Sequence, residues 1–481
     1  MMPRDPSVIV IGAGMSGIGL AVKLKHAGIT DVTVLEKADD IGGTWRDNTY
    51  PGLKCDVPSA FYQFWFDRNP DWSHFFSHGA EIHRYFRDVV DRHRLWPHIH
   101  LGTEVTSATF SENRWRVTTA DGAVREADFL VSATGVLHRP VVPDIPGRDA
   151  FTGAAFHSAR WDHSIPLAGK RVGVIGTGST GMQIVTALAG EVGELTLFQR
   201  TPQWVLPIPN WRNGRVTRRL RCSVPGATAL EYRLVRAIFG IFVAALIRPG
   251  WQRRAVSAAC RAYLRTVGDP ELRRKLTPDY QPMCKRLVIC SGFYRAVQHP
   301  DVHLAAEGIE RIEPSGVATT DGRHHELDVL VFATGFDSHA YLRPVELTGP
   351  DGRTLSQEWA GGARAYRTVA LPGFPNFFML MGPHSPVGNF SLIPVAEVQA
   401  DYVIAWIQRW RRGEFTAAAP TAEATDTYNA WLRAAMPDTV WTTGCDSWYL
   451  GPDGTPEVWP LSPQRHAAML RQPHTDEFTV V

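Results

Sequence analysis

Cysteine is scarce and poorly placed for pairing. The 481 residues hold six (Cys55, Cys222, Cys260, Cys284, Cys290, Cys445), too few and too scattered for a disulfide framework, and no two stand as C-x-x-C. Structural zinc and dithiol redox chemistry are disfavoured, no metal site is expected, and a reducing cytoplasm is the compartment that fits. Charge of one sign is lacking too. Fifty Lys+Arg against 48 Asp+Glu leave a formal +2, which excludes a chain pulled onto nucleic acid or anionic membrane by its overall charge. Long apolar runs are also missing. Val8 to Val22 follows a single Arg4, but VIVIGAGMSG reads as a strand entering a glycine turn rather than an export signal. Ala237 to Ile247, AIFGIFVAALI, is 11 residues long, short of the ~20 that a spanning helix needs. No transmembrane span is expected. Arg233, Arg236 and Arg248 flank this run, so it is read as a buried or lid helix, with a peripheral membrane contact as the alternative.

What is present is the balance of a water-soluble chain, 44% apolar and 20% charged, and one device used twice. Residues 8–17 read VIVIGAGMSG and residues 172–181 read VGVIGTGSTG. Each is a β-rich apolar run, then G-x-G-x-x-G, then a helical pattern. The glycines are Gly12, Gly14 and Gly17 in the first copy and Gly176, Gly178 and Gly181 in the second. The first glycine permits the tight turn, the second lets backbone approach a pyrophosphate, and the third lets helix pack close on strand. The phosphates then meet the free N–H groups and positive dipole of a helix N-terminus. FLVSATG (Phe129 to Gly135) and VLVFATG (Val329 to Gly335) are a second pair of strands ending in a glycine turn.

The two copies differ 24 residues beyond the first glycine, where one places Glu36 and the other Arg200, each closing an apolar strand. A carboxylate there accepts hydrogen bonds from ribose hydroxyls and repels a 2′-phosphate, so Glu36 suits FAD or NAD. A guanidinium offers charge and a donor fork to a 2′-phosphate, so Arg200 suits NADP. Two nucleotides are therefore expected, with FAD the natural complement of NADPH. The residues after Glu36, GGTWRDNTYPGLKCD (42–56), place Trp45 where flavin disulfide reductases carry a redox cysteine.

The chain resembles the class B flavoprotein monooxygenases, more narrowly the Baeyer–Villiger monooxygenases. The family fingerprint F-x-G-x-x-x-H-x-x-x-W followed by Pro or Asp is complete at Phe151, Gly153, His157, Trp161 and Asp162. A second pattern, G-x-W-x-x-x-x-Y-P-G-x-x-x-D, is complete at Gly43, Trp45, Tyr50, Pro51, Gly52 and Asp56. The resemblance spans the whole chain and is weakest between about 205 and 280. It implies an FAD- and NADPH-dependent enzyme that inserts one oxygen atom of O2 beside a carbonyl, giving an ester or lactone through a C4a-peroxyflavin. The partners would be O2 and a small organic ketone or aldehyde. Within QPMCKRLVICSG (281–292), it places the essential arginine at Arg286, a lysine for the 2′-phosphate at Lys285, and the aspartate orienting the arginine at Asp56. A fixed guanidinium stabilises an anionic oxidant and the oxyanion that follows, and it stays charged at any working pH.

By the same match Thr44, Trp45 and Tyr62 line the flavin, and Asn389, in GPHSPVGN, returns the chain to its ring. Ser179, Thr180, Gln183, Arg200 and Thr201 line NADPH. His157 is structural or hinge-related rather than catalytic. Cys445, in W-x-x-G-C-x-S-W-Y, is packed rather than reactive. Thr455-Pro456 departs from relatives that carry Asn.

The expected fold is α/β with two dinucleotide-binding, Rossmann-like domains. A discontinuous FAD domain takes residues 1–145 and 335–481, a fingerprint linker 146–162, and an NADPH domain 163–334 with a helical insertion about 212–280. The alternatives are an N- or S-oxygenating flavin monooxygenase with the same cofactors, an uncoupled NADPH oxidase, and a nucleotide-binding redox sensor.

Overall fold

Short apolar runs, two of them stopping directly at a glycine, build two parallel five-stranded sheets in the computed structural model, which describes residues 5–388, 390–451 and 453–481. The first sheet contains β1 (Val8–Ile11), β2 (Val32–Leu35), β3 (Ile99–His100) and β4 (Phe129–Ser132). The second contains β5 (Ala154–His157), β6 (Arg171–Ile175), β7 (Glu194–Phe198), β8 (Val302–Ala305) and β9 (Val329–Phe332). The chain then returns to the first sheet with β10 (Phe377–Met379). The strand orders are β10-β4-β1-β2-β3 and β8-β7-β6-β9-β5. The first unit is therefore discontinuous, interrupted by the whole of the second.

The register repeats between the sheets. Val8 lies opposite Val32 and Phe129, and Val172 lies opposite Leu195 and Val329. Strands β1, β4 and β9 are buried along their whole length. That is why they read as unbroken apolar runs rather than alternating ones. The repeat extends outward. An antiparallel three-stranded meander over residues 105–127 precedes β4, and another over 309–326 precedes β9. Strands β1 and β6 each run through a glycine turn into a helix, α1 (Met15–His26) and α2 (Ser179–Leu188).

The fingerprint segment is not a free connector. Its residues 154–157 form β5, the edge strand paired in parallel with β9. His157 closes that strand. Its Nε2 meets the Gly335 carbonyl at 3.0 Å, its Nδ1 accepts from the Ala159 amide at 3.1 Å, and burial holds its pKa below the ordinary value. A histidine tied at both nitrogens is a strut between β5 and the end of β9.

Between β7 and β8 the chain makes three longer helices, α3 (Arg215–Ser223), α4 (Ala227–Ile247) and α5 (Trp251–Leu264), then two short ones at Pro270–Lys275 and Phe293–Ala296. Helix α4 is 21 residues, nearly twice the apolar run read from sequence, and it spans both cores. Its Tyr232 and Val243 pack with the first unit, and its Ala245 and Leu246 with the second. A long helix, α6 (Leu392–Arg411), buries most of its length against α1. Among the described residues, no helix is long and apolar enough to cross a membrane.

One expectation is corrected. Cys284 and Cys445, 161 residues apart, form a disulfide with Cα atoms 6.1 Å apart. Cys445 is thus covalently bonded rather than merely packed. The bond ties the loop before Arg286 to the C-terminal segment. No local spacing rule could reveal it, because the two cysteines meet only once the C-terminal segment folds over the second core.

Candidate active site

Both nucleotide turns have the shape their glycines allow. Gly12 has φ +106° and Gly176 φ +115°. A Cβ on Gly12 would lie 2.8 Å from the Ala133 carbonyl oxygen, and one on Gly176 would lie 2.4 Å from that of Ala333. The two A-T-G strand ends are thus the walls against which the turns close. Gly17 and Gly181 stand at the helix–turn contact, where a Cβ would fall 1.9 Å and 2.0 Å from the carbonyl oxygens of Gly12 and Gly176. No other residue fits there. Gly178 faces open space, and the only atoms near a Cβ on Gly14 belong to Gly43, at 3.7 Å. The approach to each helix N-terminus is therefore clear of side chains.

The strand-end residues occupy opposite environments. The Glu36 carboxylate is buried, accepts from the Ala13 amide at 2.9 Å and the Ala38 amide at 3.1 Å, and pairs with Arg46 at 3.1 Å. Sequence reasoning missed Arg46, and nothing in its spacing marks it. Arg200 is exposed. It lies close enough to Lys285 that its charge, with burial as the larger cause, lowers the lysine pKa. Asp446 and Asp279 act on the lysine in the opposite sense, and the two neighbouring cations offer charge to a phosphate dianion. At the same turn the Ser179 hydroxyl is buried with no partner, and Thr177 donates to the Thr201 carbonyl at 2.6 Å. An orphaned donor at a helix N-terminus beside paired cations fits a phosphorylated dinucleotide.

Thr180 and Gln183 are brought to the first unit. The buried Tyr50 hydroxyl donates to Gln183 Oε1 at 3.0 Å and lies 3.5 Å from the Thr180 hydroxyl. Gln183 Nε2 donates to the Lys54 carbonyl at 3.0 Å. Gly52 (φ +80°) rests on α2, where a Cβ would lie 2.6 Å from the Gln183 carbonyl oxygen. The Y-P-G segment is therefore the joint between the two nucleotide units. Trp45 and Tyr62 meet edge to face, with the indole N–H donating to the tyrosine oxygen at 3.0 Å. Thr44 is exposed at the start of the short helix Thr44–Asp47. Asn389 lies outside the described residues.

Asp56 and Arg286, 230 residues apart in sequence, are paired. Arg286 Nη2 and Nε donate to the same Asp56 oxygen at 2.6 and 3.2 Å. The carboxylate raises the arginine pKa further above its ordinary value. Tyr449 lies beside the pair on the same wall. The pair lies on the wall of a small cavity. The remaining walls are apolar or aromatic, with Phe239, Phe242 and Leu246 from α4, Phe390, and Trp441. A fixed cation in an otherwise apolar chamber is an electrostatic device aimed at a developing anion. Sequence reads the end of α4 as a buried or lid helix but does not tie it to Arg286, because the resemblance fades there.

Comparison with known proteins agrees with this arrangement. The model for the pyridine nucleotide-disulphide oxidoreductase family matches residues 9–211. An uncharacterised monooxygenase of Mycobacterium tuberculosis is 56% identical over 99% of this chain and 97% of its own length. A Baeyer–Villiger monooxygenase of Streptomyces coelicolor is 41% identical over 98% of this chain and 92% of its own. The crystal structure of cyclohexanone monooxygenase from Rhodococcus sp. Phi1 bound to NADP+ superposes with a TM-score of 0.88 at 34% identity, over 99% of each chain. The chain belongs to the class B flavoprotein monooxygenases, in the Baeyer–Villiger monooxygenase family. It is an enzyme, an NADPH-dependent flavoprotein monooxygenase.

Proposed function

We propose that this enzyme inserts one oxygen atom of O2 next to the carbonyl of an apolar ketone or aldehyde, releasing an ester or lactone. The observation that carries the reading is the Arg286–Asp56 pair, 2.6 Å apart on the wall of an otherwise apolar cavity. Its cofactors are FAD and NADPH, which when bound supply hydride transfer and the activation of O2. The unit built on β1 (residues 1–145 and 335–481) would hold FAD through Gly12, Gly14, Gly17 and Glu36, with Thr44, Trp45 and Tyr62 beside it. The unit built on β6 (163–334) would hold NADPH through Gly176, Gly178, Gly181, Ser179, Arg200 and Lys285.

Arg286 is charged at every working pH, so it acts as a fixed positive field rather than as an acid. Asp56 holds the guanidinium fork in one orientation and keeps it from swinging toward solvent. Phe239, Phe242 and Leu246 exclude water from the chamber, which strengthens the attraction between the guanidinium and a substrate oxyanion. Trp441 and Phe390 receive the hydrocarbon part of the substrate. Oxygenation of sulfur or nitrogen is the competing outcome, because the same cofactors support it.

The test is turnover of purified enzyme with NADPH, ¹⁸O2 and a panel of apolar ketones, sulfides and tertiary amines. Esters or lactones carrying one ¹⁸O atom are expected. Sulfoxides or N-oxides as the sole products would replace carbonyl insertion with heteroatom oxygenation. Hydrogen peroxide alone across the panel would contradict both.

A further inference from the structure

Helix α4 is apolar on two opposite sides. One side carries Tyr232, Phe239, Val243 and Leu246. It packs against Phe61 (ring centroids 5.2 Å from Tyr232 and 5.7 Å from Phe239) and walls the cavity at Arg286. The other side carries Leu230, Leu234, Ile238 and Ile241, spaced by four, four and three residues and so aligned in one stripe. These four are 59%, 56%, 64% and 49% exposed. Val216 and Leu220 on α3 and Val224 in the following turn extend the bare surface, and Trp251 at the start of α5 is also exposed. Single exposed leucines are ordinary, but a contiguous apolar stripe is a contact surface.

The charge around the stripe identifies what it contacts. Residues 211–265 contain twelve arginines and one acidic residue, Glu231. Glu231 is already paired with Arg221. The chain as a whole is balanced at +2, so this basic surplus is local. Arg215, Arg219, Arg233, Arg236 and Arg254 are exposed on α3, α4 and α5, and Arg248 is exposed just beyond the end of α4. An apolar helix face bordered by arginines, with an exposed tryptophan beside it, matches the boundary between acyl chains and anionic headgroups. A protein partner of ordinary composition would supply no such surplus of negative charge.

We propose that α3, α4 and α5 dock this enzyme on anionic lipid bilayers. The stripe from Leu230 to Ile241 enters the acyl boundary, and the surrounding arginines bind the headgroups. The helix lies in the plane of the surface rather than across it: its 21 residues include Glu231, Arg233 and Arg236, and among the described residues no helix is both long and apolar enough to cross a membrane. This orientation sets the catalytic cavity about one helix diameter, roughly 10 Å, from the bilayer.

The test is co-sedimentation of the flavin-loaded enzyme with vesicles of phosphatidylcholine and phosphatidylglycerol, and with phosphatidylcholine alone. Pelleting is expected with the mixed vesicles, falling as salt rises, and much less with the neutral ones. Leu234→Glu/Ile238→Glu should weaken it at least about tenfold, because two charges then enter the acyl boundary. Arg215→Glu/Arg219→Glu should weaken it similarly and flatten the salt dependence. Turnover of a water-soluble substrate should be unchanged in both. If the apolar variant fails to hold flavin, the arginine variant alone decides. Absence of pelleting on mixed vesicles at low salt would overturn the proposal. So would pelleting that neither variant alters, or a dimer in sedimentation velocity that the stripe variant dissolves without any vesicle binding by the parent.

Discussion

The two nucleotide units close the same turn and then part company at one residue. In both, a positive-φ glycine rests on an A-T-G strand end, and a third glycine admits the helix to within backbone contact. Beyond that turn the first unit is inward-looking. Glu36 is buried and accepts from two amides and Arg46. The second unit is outward-looking. Arg200 is exposed, Lys285 lies nearby, and Ser179 is left without a partner. Met15 stands where Ser179 stands in the other copy. The lesson is that the glycines make a generic phosphate cradle, while the residue closing the second strand decides which nucleotide suits it. A buried carboxylate that accepts one bond at Oε2 is fixed by its unit and keeps a lone pair for a ribose hydroxyl. A solvent-facing arginine is kept for a ligand.

That contrast can be broken in order of effect. Alanine at Gly17 or Gly181 should be the most damaging, since each new Cβ meets backbone that cannot yield. Losses of about 3 kcal/mol are expected for either unit. Flavin should be lost from Gly17→Ala but retained by Gly181→Ala, as read by absorbance after gel filtration and by thermal unfolding. Equal flavin loss in both would dissolve the distinction between the units.

The strand-end pair should divide cleanly. Glu36→Ala leaves Arg46 and two amides without their acceptor and should cost about 2–3 kcal/mol of stability. Arg200→Ala should leave stability within about 0.5 kcal/mol. It should raise the KM for NADPH roughly ten- to a hundredfold, with the KM for NADH unmoved. Parallel changes in both KM values would refute the 2′-phosphate assignment.

The smallest effect sharpens the comparison most. Ser179→Ala removes a buried hydroxyl that nothing satisfies. Without nucleotide it should be neutral or stabilising by up to about 1 kcal/mol, while the KM for NADPH rises a few-fold. A clear loss of stability without nucleotide would mean the hydroxyl serves the fold rather than the ligand.

Sequence carried the twin folds because each depends on local rules. A run such as VIVI followed by G-x-G-x-x-G specifies strand, turn and helix within a dozen residues. The strand-end residue is found by counting from the turn. Asp56 and Arg286 were reachable only through family resemblance, since 230 residues separate them and neither has a local signature. Where local rules and resemblance both fail, the sequence was silent or misleading. The Cys284–Cys445 bond joins segments that meet only in the folded chain. The pairing of Arg46 with Glu36 depends on the path of the loop between them. Helix α4 read as 11 apolar residues because Leu230, Tyr232, Leu234 and Val235 are interleaved with Glu231, Arg233 and Arg236. Its two apolar faces emerge only when the 3.6-residue period is laid over the full 21.

The central claim is that Arg286, held by Asp56, directs oxygen into the substrate and takes no part in reducing the flavin. The measurement that tests it most directly is Arg286→Ala, followed by stopped-flow flavin reduction and by product analysis with the best substrate from the panel. The account predicts NADPH-driven flavin reduction within about threefold of the parent, oxygenated product down at least about a hundredfold, and the NADPH electrons recovered as hydrogen peroxide. Oxygenated product at the parental rate would contradict it.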